Sequence, residues 1–138
     1  MHSAKILRNV ICLIVMMPGG AFAAKVDVYK EFESRVSALE KKLPKEKDIV
    51  KRYDIFLKTF KEIHELRKKN PRQDEEKEIN MSYFMDALAA LPGKAEFKAA
   101  NCSEYVKEVE ASAKSYEADH KEDYADRALK VTKLICNK

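Results

Sequence analysis

Apolar residues recur every three or four positions along most of this chain, which is the spacing of one face of an α-helix. The clearest case covers residues 29–43, where the apolar positions follow one another in alternating steps of three and four. Pro44 comes next and predicts the end of this first helix, because proline cannot continue a helix. The predicted apolar face consists of Tyr29, Phe32, Val36, Leu39 and Leu43.

Two further helices are predicted between Pro44 and Gly93. The second covers residues 45–69, and the third begins at the sequence NPRQ (residues 70–73) and ends at the Pro92-Gly93 pair. Asn70 can cap a helix, Pro71 fits the first helical position and Gln73 completes a capping box. The predicted buried face of the second helix is Ile49, Tyr53, Phe56, Phe60 and Ile63, widened by Val50 and Leu57, and that of the third is Ile79, Tyr83, Phe84, Ala87, Leu88 and Leu91.

The C-terminal third contains two more amphipathic segments, separated by the polar stretch 117–123. Asp119 is a candidate N-cap in that stretch, and residues 94–100 form either a short helix or the first turns of the next one. The first segment carries Cys102, Val106, Val109, Ala113 and Tyr116 on one face. The second carries Tyr124, Ala128, Val131 and Ile135, with Ala125, Leu129, Thr132 and Cys136 in a row beside them.

Cys102 and Cys136 lie at the outer ends of these two segments, and three uses of the pair can be compared. Zinc usually needs four ligands, and the C-x-x-C spacing of redox pairs is absent, so a structural disulfide is favoured over a metal site or a redox pair. If the chain folds back at Asp119, position i faces position 238 − i and Cys102 faces Cys136. A disulfide between them therefore predicts an antiparallel helical hairpin.

The scarcity of turn-forming residues agrees with a helical fold. After residue 23 the chain has a single glycine, Gly93, whereas an all-β chain needs frequent glycine and asparagine turns. We therefore predict an all-α protein: a compact antiparallel bundle of four to five helices, with one disulfide closing a C-terminal helical hairpin.

The N-terminus has the pattern of a secretory signal peptide. Lys5 and Arg8 precede a short apolar run at residues 10–17, and Ala21-Phe22-Ala23 supplies an A-x-A cleavage site. We expect residues 1–23 to be a signal peptide and residues 24–138 to be a single helical-bundle domain, exported to the periplasm or secreted. A buried N-terminal helix or a permanent anchor is the alternative, but the run is short for a membrane span. No stable membrane anchor is expected.

Charge is distributed unevenly along the chain. Residues 41–72 carry 12 basic and 5 acidic side chains, whereas residues 73–93 carry 1 basic and 5 acidic ones. The basic stretch is either a solvated helix face or a surface that binds an acidic protein or anionic lipid. Nucleic acid is not expected, because the net charge is only +4 and the protein is predicted to be exported. The candidate partner-binding residues are Lys45, Lys51, Arg52, Lys58, Lys61, Arg67, Asp74, Glu75 and Glu78.

No catalytic motif stands out, so we do not expect an enzyme, a cofactor or a resident metal. There is no G-x-S-x-G, glycine-rich phosphate loop or H-E-x-x-H sequence. Glu117 and His120 have the spacing used in di-iron bundles, but the second such pair that these sites require is missing.

The function expected from these features is that of an exported, non-enzymatic protein-binding module, such as an inhibitor or an immunity-type protein. The alternatives are a periplasmic stress chaperone, which exposes apolar surface when acid protonates its carboxylates, and a carrier that holds a small apolar ligand between helices.

Overall fold

The computed structural model describes residues 26–70, 74–117 and 123–137. These residues form five α-helices and no strand. Short 3₁₀ turns at Leu43–Lys45 and Ala99–Asn101 precede the second and fourth helices. The all-α prediction is confirmed, while the predicted signal peptide lies outside the described residues. The helices are α1 (Val28–Lys42), α2 (Ile49–Lys69), α3 (Glu75–Leu88), α4 (Cys102–Glu117) and α5 (Asp123–Cys136).

Aspartates define the starts of the first three helices. The side chain of Asp27 accepts a hydrogen bond from the Lys30 amide at 3.0 Å, and Asp48 accepts one from the Val50 amide at 2.8 Å. Such caps satisfy amide groups that have no partner inside the helix. Both helices therefore begin where the chain offers an aspartate directly before an apolar stripe.

The predicted start of the third helix is corrected by the structure. Asn70 ends α2 rather than capping α3, and its side-chain amide donates to the Leu66 carbonyl at 2.8 Å. The N-cap of α3 is Asp74, which accepts from the Lys77 amide at 3.1 Å. An aspartate is a strong helix cap, and here it is followed by Glu75, whose charge suits the positive end of the helix dipole. Residues 71–73 lie outside the described residues.

The buried face of α3 also differs from the prediction. Ile79 is 38 % exposed and Tyr83 is partly exposed, whereas Met81 and Met85 are buried beside Phe84. Two apolar stripes overlap in this helix. The stripe through positions 81, 84, 85 and 88 is the one that packs against the core. Phe84 contacts Phe32 of α1 edge to face, with ring centroids 5.3 Å apart, so that tertiary packing decides between the stripes.

Phe97 organises the connection between α3 and α4. Residues 94–96 form a turn, with the Phe97 amide bonded to the Gly93 carbonyl at 3.1 Å, so no helix continues from residue 94 into α4. The Phe97 ring stacks on Tyr53 at 3.7 Å and on Tyr105 at 5.3 Å between centroids. Because Tyr105 takes part in this stack, it is buried, while Val106, which the sequence pattern placed on the inner face, is only partly buried.

α5 is the central helix of the bundle, because it packs against each of the other four described helices. Its inner face uses small and medium side chains that allow close approach of the neighbours. Thr132 is fully buried there, and its hydroxyl donates to the Ala128 carbonyl at 3.0 Å, which satisfies the one polar group on that face. The buried residues of α5 are Ala125, Ala128, Val131, Thr132 and Ile135.

The predicted disulfide is present and closes the C-terminal hairpin. Cys102 is the first residue of α4 and Cys136 is the last residue of α5, and their Cα atoms are 5.5 Å apart. The two helices are therefore antiparallel, and the prediction of a bridged helical hairpin is confirmed. The connecting residues 118–122, which include the proposed cap Asp119 and His120, lie outside the described residues.

Candidate partner-binding surface

The outer face of α2 is basic because its inner face is committed to the core. Tyr53, Phe56 and Ile63 are buried, so the positions on the opposite side of the helix face solvent. Lysines occupy most of these outer positions. The exposed lysines of α2 are Lys51, Lys58, Lys61, Lys68 and Lys69.

An open groove of about 540 Å³ runs along this part of the surface, and we refer to it as the basic groove. α2 provides most of its wall, and Arg35 of α1 provides the other side. Leu66, partly buried, gives the groove an apolar patch among charged neighbours. The lining residues are Arg35, Lys58, Lys61, Glu62, Glu65, Leu66 and Lys69.

The charges of the basic groove are only partly compensated. Arg35 and Glu62 bind each other at 2.6 Å, with Glu31 a further 3.9 Å contact of Arg35. Among the residues that the structure describes, no carboxylate lies within ion-pairing distance of Lys58, Lys61 or Lys69. With respect to the described ranges, the groove therefore presents three ammonium groups that can meet an external anion.

Of the residues proposed for partner binding, Lys58 and Lys61 line the basic groove. Lys51 lies two turns before Lys58 and so on the same side of α2, and Lys45 is exposed in the preceding 3₁₀ turn. All four of these lysines are exposed, but only Lys58 and Lys61 line the groove. Lys69 and Arg35 also belong to the groove and were not proposed from the sequence, Arg35 because it comes from a different helix.

Arg52 differs from the other proposed residues because it is only 8 % exposed. Its guanidinium lies over the C-terminal end of α5, where Nη1 donates to the carbonyls of Leu134 at 3.4 Å and Asn137, and Nε donates to the Glu46 carbonyl. A cation at this place satisfies carbonyls that have no partner within the helix. Arg52 is thus part of the packing between α2 and α5 and does not lie on the exposed surface.

The proposed acidic residues are divided between structural roles and solvent. Glu78 accepts from Arg67 at 3.0 Å, and Arg67 also donates to the Ser82 hydroxyl at 3.0 Å, so this pair joins α2 to α3. Asp74 caps α3, and Glu75 is exposed in its first turn. The acidic residues at the start of α3 therefore serve mainly to stabilise the fold, and a separate contact surface is a lesser role for them.

A polar cluster joins α1 to α5 on another side of the bundle. Arg127 donates to Glu40 at 2.5 Å, to Glu33 at 2.8 Å and to the Ser37 hydroxyl at 3.2 Å, and Lys130 binds Glu40 at 2.9 Å. Burial raises the pKa of the Glu40 carboxyl, but the hydrogen bonds and charges of Arg127 and Lys130 outweigh this effect and hold the pKa below its ordinary value. Glu40 is therefore ionised at neutral pH and is a weak proton acceptor.

A second open concavity, of about 680 Å³, surrounds the disulfide. Cys102 and Cys136 lie in its wall together with the exposed Lys107 and Lys133. Within the part of the chain that is described, no group of three His, Cys, Asp or Glu residues is arranged to hold a metal ion. The helices of the same residues include none with the length and apolar character needed to span a membrane.

Comparison with known proteins gives no match to a protein-family model, to a curated protein or to a solved structure.

Proposed function

We propose that this chain is an exported, non-enzymatic protein-binding module whose basic groove binds an acidic protein. The proposal is carried by Lys58, Lys61 and Lys69, which line one groove with Leu66 and have no carboxylate partner among the residues that the structure describes. Because these lysines contribute no ion pair to the part of the fold that is described, their charge is available to an external anionic partner.

The groove suits a protein partner because it combines charge with apolar surface. The four-carbon stems of the lysines and Leu66 offer apolar contact, while the ammonium groups select acidic side chains. The lining of the groove carries a net positive charge, four basic against two acidic side chains, and this excess also accelerates association with an acidic partner at low salt. An inhibitor or immunity-type protein that must find its target quickly would use such a surface.

Capture with charge-reversed variants tests this function. The full chain carrying Lys58→Glu, Lys61→Glu and Lys69→Glu is compared with the original chain as bait in extracts of the cell envelope of the source cells. A matched control carries Lys98→Glu, Lys107→Glu and Lys133→Glu, which changes the net charge equally at exposed lysines outside the groove. Bound proteins are identified by mass spectrometry, and circular dichroism verifies that each bait is folded.

We expect the original and control baits to retain one acidic protein at a fixed stoichiometry and the groove variant to lose it. Retention of that protein by the groove variant would contradict the proposed surface. Retention of many unrelated proteins by all three baits would instead favour a chaperone, and a co-purified apolar small molecule would favour a carrier.

Export is tested separately by measuring the intact mass of the protein recovered from the cell envelope. Cleavage after Ala23 leaves a chain that begins at Ala24. With the disulfide formed, its mass is two hydrogens lower than the mass of the same chain with two free thiols. A full-length chain confined to the cytosolic fraction would contradict this part of the proposal.

A further inference from the structure

The disulfide is accessible from solvent on one side. Cys136 is partly exposed, whereas Cys102 is only 9 % exposed. Both residues line the open concavity of about 680 Å³ at the end of the α4–α5 hairpin, so a small thiol can approach the bridge without unfolding the bundle. The more exposed residue, Cys136, is the one that such a reagent meets first.

The two sulfurs differ in how well the fold stabilises them as thiolates. Cys102 begins α4, whose positive N-terminal end stabilises a negative charge. Cys136 ends α5, whose C-terminal end lacks such amide groups, and the Arg52 guanidinium at that end is bonded to backbone carbonyls. In thiol–disulfide exchange the sulfur that is better stabilised as a thiolate leaves faster. The exposure of Cys136 and the better leaving ability of Cys102 therefore both favour attack on the sulfur of Cys136.

Two lysines place positive charge at the same concavity. Lys133 precedes Cys136 by three residues, so both lie on one side of α5, and Lys107 faces the concavity from α4. Their ammonium groups attract an anionic thiol and favour the thiolate form of the attacking sulfur.

We propose that the Cys102–Cys136 bridge is a site of thiol–disulfide exchange, at which an external thiolate attacks Sγ of Cys136 and Cys102 leaves as the thiolate. The new bond joins the incoming sulfur to Cys136, and the bond that breaks is the one between Cys136 and Cys102. When the reagent is a dithiol, its second thiolate attacks its own sulfur in the mixed disulfide and releases Cys136. The dithiol is then oxidised to a disulfide, and its two electrons reduce the bridge. In the absence of such a thiol the bridge remains the covalent closure of the hairpin.

The direction of attack is measured by treating the oxidised full chain with glutathione under native conditions. Samples quenched with acid at early times are alkylated and digested, and the peptides carrying glutathione are quantified. We expect glutathione mainly on Cys136 and the alkylating group mainly on Cys102, with an initial rate proportional to the glutathione concentration. A preference for Cys102 would overturn the proposed direction. A rate that does not depend on glutathione concentration would show that the bridge reacts only after unfolding, and would overturn the proposed accessibility.

The contribution of the lysines is tested with Lys133→Gln, for which Lys114→Gln on the exposed side of α4 is the matched control. We expect Lys133→Gln to slow exchange with anionic glutathione severalfold and to change the rate with a neutral thiol less, while Lys114→Gln leaves both rates unchanged. Equal rates for the two variants would overturn the electrostatic part of the proposal. Circular dichroism of both variants shows whether any change in rate reflects a loss of structure.

Discussion

Arg52 shows how a single charged residue can be structural in a chain rich in surface lysines. It lies between Ile49 and Phe56 on the side of α2 that faces the core, and its guanidinium binds backbone carbonyls at the end of α5. The sequence contains a signal for this role, since position 52 falls within the apolar stripe. The charge run alone groups Arg52 with the surface lysines, whereas the periodicity of the apolar stripe separates it from them.

Replacement of Arg52 with methionine tests this role. The substitution keeps most of the apolar stem but leaves several carbonyls, most of them partly buried, without this donor, so we expect the free energy of unfolding to fall by about 2–3 kcal/mol. Arg52→Lys should restore only part of the lost stability, because an ammonium group cannot reproduce the planar array of N–H donors of a guanidinium group. Urea unfolding measures both values, and Lys51→Met provides an exposed control that should stay within about 0.5 kcal/mol of the original. Equal stabilities for the two methionine variants would contradict the role of Arg52.

Phe97 lies in a connection that the sequence pattern left undecided between a short helix and the start of the next one. Its ring lies between Tyr53 and Tyr105, and burial, together with the neighbouring Tyr105 and Glu96, raises the pKa of Tyr53 to about 12. A single aromatic residue in a loop has no periodicity, so its packing partners could not be derived from the sequence.

Truncation of Phe97 to alanine removes the middle ring of this stack. We expect a loss of about 2–3 kcal/mol, somewhat less than for a fully buried phenylalanine, because Phe97 is only partly buried. Chemical denaturation gives the free energy, and Lys98→Ala on the next residue is the control. A stability loss below about 1 kcal/mol would show that the stack contributes little to the fold.

At the scale of elements, helix boundaries followed mainly from proline and capping residues, and the choice of buried face followed from packing. α1 and the 3₁₀ turn that follows it agree with the predicted face at Phe32, Val36, Leu39 and Leu43, since this segment carries only one apolar stripe. α3 carries two overlapping stripes, and the choice between them depends on where Phe32 of another helix lies. The sequence of one helix contains no information about that neighbour, which is why Ile79 was placed wrongly.

The contact between α1 and α5 is expected to depend on pH. The pKa of Glu40 is lower in the folded protein than in the unfolded chain, because Arg127 and Lys130 outweigh the effect of burial. The stabilisation from this carboxylate is therefore complete above the ordinary glutamate pKa, near 4.5, and is lost as the pH falls through the lower folded-state value. Glu40→Gln should lower stability at pH 7 and flatten its decline between neutral pH and about pH 3.

Urea unfolding at several pH values measures this dependence, with Glu108→Gln at an exposed position of α4 as the control. The control should retain the acid-dependent decline of the original chain. A Glu40→Gln variant with the same pH dependence as the original would contradict the proposed linkage.

At the scale of the whole molecule, the disulfide could be predicted because both cysteines end amphipathic segments of matching length. The same pattern predicted the antiparallel hairpin that the structure contains. The basic groove could be predicted only in part, since the lysines of α2 were visible as a charge run but Arg35 comes from a different helix. Whether a lysine has a carboxylate partner depends on the approach of other helices and needed the structure.

Removal of the bridge in a Cys102→Ser, Cys136→Ser double variant should destabilise the protein by about 3–4 kcal/mol, as expected for a closed loop of roughly 35 residues. Thermal and urea unfolding measure the loss, and the original chain under reducing conditions provides an independent comparison. An unchanged midpoint would show that the hairpin is held by packing alone.

We propose that the basic groove on α2 is the surface that meets an acidic protein. The most direct measurement places a photoreactive amino acid at position 65, within the groove, or at position 111, on the exposed side of α4, and identifies what each variant crosslinks in the cell envelope. We expect one acidic protein to be crosslinked from position 65 and none from position 111. Crosslinking of the captured partner from position 111 and not from position 65 would contradict it.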